Sequence, residues 1–198
     1  MKITAIKQQA KRADRYSIFI DGKYSFSLSE TALLESGINS GQNLEKGQVR
    51  EFKQKSADDK IYQQALRYVS LRPRSVGEME LYLTYKKQAS PSLSESILNK
   101  LSNIGLLNDE KLAGMFVNDR LLFRPTSLRK LSAELKKKKI SQEIIDRVLA
   151  EHNDDSTLNL VIASKRRQKK YQDDEKLMQY LARQGYGYSD IKAALKAE

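Results

Sequence analysis

Five positive charges fall within six residues at Lys165, Arg166, Arg167, Lys169 and Lys170. A run this dense repels itself unless anions lie close to it. Tyr171 follows directly, and Asp173, Asp174 and Glu175 come next. Two readings fit: contact with a phosphate backbone, and neutralisation by the chain's own acids. A second run, Lys136, Lys137, Lys138 and Lys139, is expected at a helix end. One or two of these suit the helix dipole there, and the rest are available to phosphates. Arg120, Arg124, Arg129 and Lys130 precede that run. Arg72 and Arg74 flank Pro73 at the start of another helix, where backbone amides also favour anions. A solvated turn explains them as well. Near the N-terminus, Lys7, Lys11, Arg12 and Arg15 interleave with Tyr16 and Tyr24. They form a secondary candidate set for tracking a phosphate backbone and stacking bases, unless the aromatics are simply the core of a hairpin. The chemistry common to all these groups is neutralisation of phosphates, which positions a nucleic acid without reading its sequence.

The whole chain supports a polyanionic partner. Its 198 residues carry 36 Lys and Arg against 25 Asp and Glu, a net charge of +11. A magnitude of about 2–8 suffices for solubility in a small domain. Counted along the chain, residues 1–56 carry about +4, 57–109 about +1, 110–155 about +2 and 156–198 about +4. There is no Cys, which excludes disulfides, thiolate metal sites and Cys nucleophiles. The one histidine, His152, stands beside Asn153 and Asp154 with no candidate metal-ligand set, and reads as a surface helix cap. No nucleophile elbow and no phosphate-binding Gly loop is present. The acidic pairs Asp58-Asp59 and Asp173-Asp174 stand where helices should begin. No catalytic residue, metal or cofactor is therefore expected, and the protein is not read as an enzyme. No apolar run is long enough to span a bilayer, and the first residues lack the apolar core of a signal peptide. A soluble, cytoplasmic protein is expected.

The elements that must hold these cations are helices in tandem. Residues 61–109 carry three helical patterns. The first has Ala65, Leu66 and Val69. The second follows Arg72-Pro73, with Ser75 and Glu78 as a capping box and Met79, Tyr82 and Leu83 as its apolar stripe. The third repeats the signal with Ser92 and Glu95, then Ile97, Leu98 and Leu101, and ends near Gly105. Arg124-Pro125 next takes the place of Arg72-Pro73. Leu131 and Leu135 stand where Met79 and Leu83 did, and Ile145 and Leu149 match Ile97 and Leu101. A third copy lacks the Pro but keeps Leu177, Leu181, Ile191 and Leu195. Between copies, Leu106 and Leu107 should insert between helices, and Asn108 should cap a helix carrying Leu112, Met115, Phe116 and Val117. Asp173 and Ser189 are expected to cap the last two helices. The expected fold is mainly α: three tandem three-helix units forming an elongated array.

Residues 1–56 read as a small α+β module. Ile3 and Ile6 mark a first strand. Tyr16, Ile18 and Ile20 alternate, as do Tyr24, Phe26 and Leu28, with Asp21-Gly22 between them as a hairpin signal. A two-residue loop pairs Phe19 with Tyr24. A three-residue loop over 21–23 places Tyr16, Ile18 and Ile20 beside Leu28, Phe26 and Tyr24, and is favoured because it makes one clean apolar face. Ser29 should cap a short helix over 30–36 that stops at Gly37. A further helix runs from about Glu45 toward Lys55. The polar stretch 53–60, with Ser56 and Asp58 as helix starts, is the expected boundary. The divisions are thus 1–56 for the module and 57–109, 110–154 and 155–198 for the three units.

The capped helix after Arg72-Pro73-Arg74-Ser75 is followed by Gly105-Leu106-Leu107-Asn108-Asp109 and a helix carrying Phe116, Val117 and Arg120. With the three tandem units, this order resembles the RecX family of recombinase regulators across nearly the whole chain. The N-terminal module resembles the extension of longer members. Two departures stand out: Lys139 replaces a glycine often found after the second unit's middle helix, and the third unit has no Arg-Pro turn. The resemblance implies binding in the groove of a filament of RecA recombinase on single-stranded DNA. It implies modulation, mostly inhibition, of ATP hydrolysis, strand exchange and co-protease activity, with duplex DNA as a further partner and a monomeric state. The alternative is a helix-turn-helix-like protein acting on duplex DNA without recombinase, which would want Asn, Gln or Arg at base edges.

Overall fold

The computed structural model describes residues 1–197. The chain is mainly helical, with one three-stranded antiparallel sheet at its start. Two compact bodies are present. The first holds Met1–Arg72 and Tyr82–Leu101. The second holds Pro73–Leu81 and the chain from Ser102 on.

In the first body, β1 (Ile3–Gln9), β2 (Arg12–Ile20) and β3 (Lys23–Ser29) pair in sequence order. Both hairpin registers are partly right. Ile20 pairs with Lys23 and Phe19 with Tyr24, so the loop is the two-residue Asp21-Gly22, with φ of 48° and 80°. A bulge then intervenes, with Ser25 as the extra residue, and beyond it Ile18 pairs with Phe26 and Tyr16 with Leu28. The bulge restores the single apolar face, which buries Ile3, Ile18, Ile20, Phe26 and Leu28 against Leu44 and Val49. Helix α1 (Glu30–Ser36) follows, capped by Ser29 and stopped by Gly37 at φ 63°.

The expected break at 53–60 does not occur. One helix, α2 (Lys46–Ser70), runs straight through it. Ser56 and Asp58 start no helix; Ser56 and Asp59 brace the sheet. Ser56 Oγ donates to the Ser27 carbonyl at 2.6 Å. Asp59 accepts from the Ser29 amide at 2.9 Å and from Ser29 Oγ at 2.6 Å. After residue 81 comes a π turn, Tyr82–Lys86, and then α4 (Pro91–Asn103). The cap of α4 is Ser90, not Ser92: its hydroxyl accepts from the Leu93 amide, and Pro91 takes the first helical position, where no amide is needed.

The second body starts with the short helix α3 (Val76–Leu81). The Ser75–Glu78 capping box forms, with Ser75 Oγ accepting from the Glu78 amide at 3.0 Å. Then come α5 (Asp109–Phe123), α6 (Leu128–Lys137), α7 (Gln142–Leu149), α8 (Asp154–Arg166), α9 (Asp174–Arg183) and α10 (Tyr188–Lys196). The periodic apolar positions are the core. Leu131, Leu135 and Ile145 are fully buried with Val117, and Leu177, Leu181 and Ile191 with Leu158 and Ile162. Asn108 caps α5 and Asp173 caps α9 as expected. Leu107 is buried, but Leu106 points to solvent. Ser189 caps nothing, because α10 begins one residue earlier, behind Gly187.

One joint occurs twice in this body. Ser75 Oγ donates to the Lys138 carbonyl at the end of α6, and the Val76 amide donates to Asp109 Oδ1 at 2.8 Å. Likewise Ser127 Oγ donates to the Gln184 carbonyl at the end of α9 at 2.7 Å, and the Leu128 amide donates to Asp154 Oδ1 at 2.7 Å. In each case a left-handed residue, Lys139 (φ 62°) or Gly185 (φ 94°), ends the receiving helix. Lys139 thus keeps the conformation that a glycine adopts more easily.

Burial pushes both joint carboxyls, Asp109 and Asp154, above their ordinary range, although the amide each one accepts from pulls the other way. Between the ordinary carboxyl value and the raised one, the folded chain holds more proton than the unfolded chain. Stability contributed through these groups is therefore present at low pH and lost as pH rises through that window. Asp109→Asn with Asp154→Asn leaves an acceptor for each amide and removes the slope. Urea unfolding from about pH 4 to 7 should show the parent losing stability relative to this variant as pH rises. Parallel curves would refute this assignment.

Candidate nucleic-acid interface

The expected basic residues meet different fates. Arg15 is withdrawn altogether. It is 4% exposed, lies 3.2 Å from Asp59, and donates to the Ser27 carbonyl and hydroxyl. It belongs to the interior of the first body and is no contact for DNA. The charges expected in a connection also lie mostly on strands. Lys7 is on β1 with Nζ 5.5 Å from the Phe19 ring, and Arg12 is on β2 beside Asp14. Lys11 sits exposed in the turn between them. Arg72 closes the first body and Arg74 belongs to the second, and each is engaged with other groups.

In the second body the pairing is selective. Arg120 on α5 grips Glu134 on α6 with two bonds of 2.8 Å, from Nε and Nη2. Arg166 at the end of α8 folds back onto the Tyr171 and Gln172 carbonyls and onto Asp174 at 2.6 Å. Intramolecular neutralisation of the 165–170 run is therefore real, but among the described residues it takes only Arg166. Arg167, Lys169 and Lys170 stay exposed, with Lys170 Nζ 5.5 Å from the Tyr171 ring. Lys136, Lys137 and Lys139 are exposed around the end of α6, and Lys138 lies over Phe116 at 4.9 Å. Arg129 is exposed on α6.

Four of the expected cations converge. Arg120, Arg124, Lys130 and Lys165 line one cleft of about 430 Å³, together with Phe123, Tyr180 and Gln184. The sequence places them there through three elements. Helix α5 ends at Phe123, and Pro125 turns the chain; Ser127 then caps α6, which carries Lys130 one turn in. Lys165 comes from the last turn of α8. Lys130 Nζ is held by Gln184 Oε1 at 2.7 Å. Lys165 Nζ sits 4.9 Å from the Tyr180 ring and 5.7 Å from the Tyr171 ring, and these two rings tilt together at 5.1 Å. Among the described residues no carboxylate lines the cleft. The aromatic walls were not anticipated. Tyr180 lies on an ordinary amphipathic helix and Phe123 reads as a helix end, so nothing local marks either one.

Among the described residues no helix is long and apolar enough to cross a membrane. Comparison with known proteins gives a consistent picture. The family model described as the regulatory protein RecX N-terminal domain matches residues 1–45, and that described as the second three-helix domain of RecX matches 108–149. The chain is 30% identical over 201 residues to regulatory protein RecX of Listeria welshimeri, covering 98% of this chain and 74% of that protein. Its likeness to regulatory protein RecX of Listeria monocytogenes is 35% over 158 residues, covering 80% of this chain but only 58% of that protein. A crystal structure of a regulatory protein RecX superimposes with a TM-score of 0.78 at 24% identity, covering 100% of this chain and 99% of the other, which is a likeness of fold.

Proposed function

Since the chain belongs to the RecX family of regulatory proteins, we propose that it is a regulator of RecA recombinase. It binds the recombinase filament on single-stranded DNA, in the filament groove. It modulates the filament, mostly by inhibiting ATP hydrolysis, strand exchange and co-protease activity. It does so in the cytoplasm, as a monomer and as a binding protein with no catalysis of its own. The observation that carries the nucleic-acid half of this reading is the acid-free cleft of Arg124, Lys130 and Lys165. Cations released from the chain's own acids are the ones that phosphates can recruit. The exposed Lys136, Lys137, Arg167, Lys169 and Lys170 extend the positive surface of the same body.

ATP hydrolysis by RecA on single-stranded DNA, titrated with substoichiometric amounts of this protein, tests the reading. The parent should inhibit, and Arg124→Ala/Lys130→Ala/Lys165→Ala should inhibit more weakly. Each phosphate contact contributes about −0.7 to the salt slope on single strands, so the triple variant should flatten log K against log salt by about 2. No inhibition at large excess would sink the regulator. Equal inhibition by both proteins would move the contact away from the cleft.

A further inference from the structure

Phe123 is 75% exposed at the rim of the basic cleft, beside Leu122 at 74%. An exposed aromatic on the wall of a cation-lined hollow has no packing role to explain it. Tyr180 forms another part of the wall, and its ring is steadied by Tyr171. Lys165 lies over these rings, which hold its charge at the wall of the cleft and leave Phe123 as the open aromatic face. The hollow, about 430 Å³, is within the range of pockets that hold one small ligand, about 300–1,000 Å³.

We propose that this cleft takes one unstacked base of a single DNA strand, with the exposed Phe123 against the base and Arg124, Lys130 and Lys165 on the phosphates beside it. The inference rests on the nucleic-acid reading of the cleft and adds what that reading lacks: contact with the base itself, and hence a reason to choose single strands. Base faces in a duplex are covered by their neighbours, whereas a single strand can turn one out onto an aromatic ring. The lining also argues for tolerance of any base. Gln184 is already committed to Lys130, Arg120 to Glu134, and Thr126 and Ser164 offer only single hydroxyls, so with Arg124 on a phosphate no bidentate reader of a base edge is left. An apolar peptide is the wrong occupant, because Arg124, Lys130 and Lys165 line the site and none of the described carboxylates does. The hollow in the first body makes the contrast. At about 470 Å³ it is similar in size, but Glu35, Asp58 and Asp59 line it beside Lys55 and Lys100, so it holds no surplus of cations.

The chain has no Trp, so Phe123→Trp introduces a single reporter. The probes are a short oligothymidylate, an abasic oligomer of equal length, and the corresponding duplex. Oligothymidylate should quench the Trp emission and the abasic strand should not. Phe123→Ala should weaken oligothymidylate binding by about 5- to 150-fold, the span of base–aromatic stacking. It should leave abasic binding and the unfolding curve unchanged, because the side chain is exposed. Equal parent affinity for the two single strands would overturn the inference while leaving the proposed function intact, as would unchanged binding by Phe123→Ala or a preference for duplex. Base-dependent binding with no effect on RecA would support the inference and overturn the proposed function. Inhibition of RecA without binding of any DNA probe would overturn the inference alone and place the regulatory contact on protein.

Discussion

Asp59→Ala is expected to cost about 3–5 kcal/mol of stability, because it strands the Arg15 guanidinium in the interior. The side chains of Arg15 and Asp59 are 4% and 7% exposed, at 3.2 Å from each other. Water cannot reach either group to compensate for a lost partner. The carboxylate also accepts from the amide and hydroxyl of Ser29, where β3 turns into α1, so the same change frees two buried donors. Arg15→Ala should cost a similar amount, since it leaves the carboxylate with donors but no countercharge. The double variant should cost less than the sum of the two, because each single loss already includes the penalty of the orphaned partner. Urea unfolding of the four proteins completes the cycle. Single losses under about 1 kcal/mol, the range of exposed pairs, would show that the pair is not sealed from water.

Gly185→Ala should be nearly as damaging, at about 2–5 kcal/mol. Two causes add. The backbone there is left-handed, at φ 94°, which costs about 1–2 kcal/mol for a residue with a Cβ. That Cβ would also lie 2.5 Å from Ser127 Oγ, and overpacking of this kind costs about 1–3 kcal/mol. The displaced hydroxyl is the one that caps α6 and donates to the Gln184 carbonyl, so the joint itself gives way. Gly77→Ala tests the other copy. Its Cβ would meet Lys139 Cβ at 2.6 Å and the Lys139 carbonyl at 2.8 Å, for about 1–3 kcal/mol. Gly114 supplies the control. It lies inside α5 with nothing within 4 Å of a Cβ, so Ala there should stabilise by about 0.5–1 kcal/mol. If all three variants unfold at the same urea concentration, the close packing at the joints is wrong.

What was legible in the sequence was what neighbours along the chain decide. The stripes through Leu131, Leu135 and Leu177, Leu181 are local periodicity, and all four side chains are buried. Ser29, Asn108 and Asp173 act on amides two or three residues away, so their roles as caps could be read directly. The hairpin register depended on a bulge at Ser25, which no residue type announces, and each of the two readings described one half of the ladder. The polar stretch 53–60 resembled a boundary because its inward-facing groups are Ser56 and Asp59, whose partners lie in the sheet. The basic clusters showed plainly as charge. Which cations are spent was hidden, because Arg15 and Arg120 are answered by acids remote in sequence, Asp59 and Glu134. The cleft itself exists only once α5, α6, α8 and α9 have met.

The twin joints also give the chain a direction in time. Ser75 and Val76 are satisfied by Lys138 and Asp109, and Ser127 and Leu128 by Gln184 and Asp154. Every bond points to a residue that leaves the ribosome later. A nascent chain therefore carries each finished helix start unlatched until the following helices emerge. Asp173 differs, because its carboxylate serves the Glu175 and Lys176 amides of its own helix. Loss of the last helices would consequently open the joint before them, and the defect would travel toward the N-terminus, against the order of synthesis.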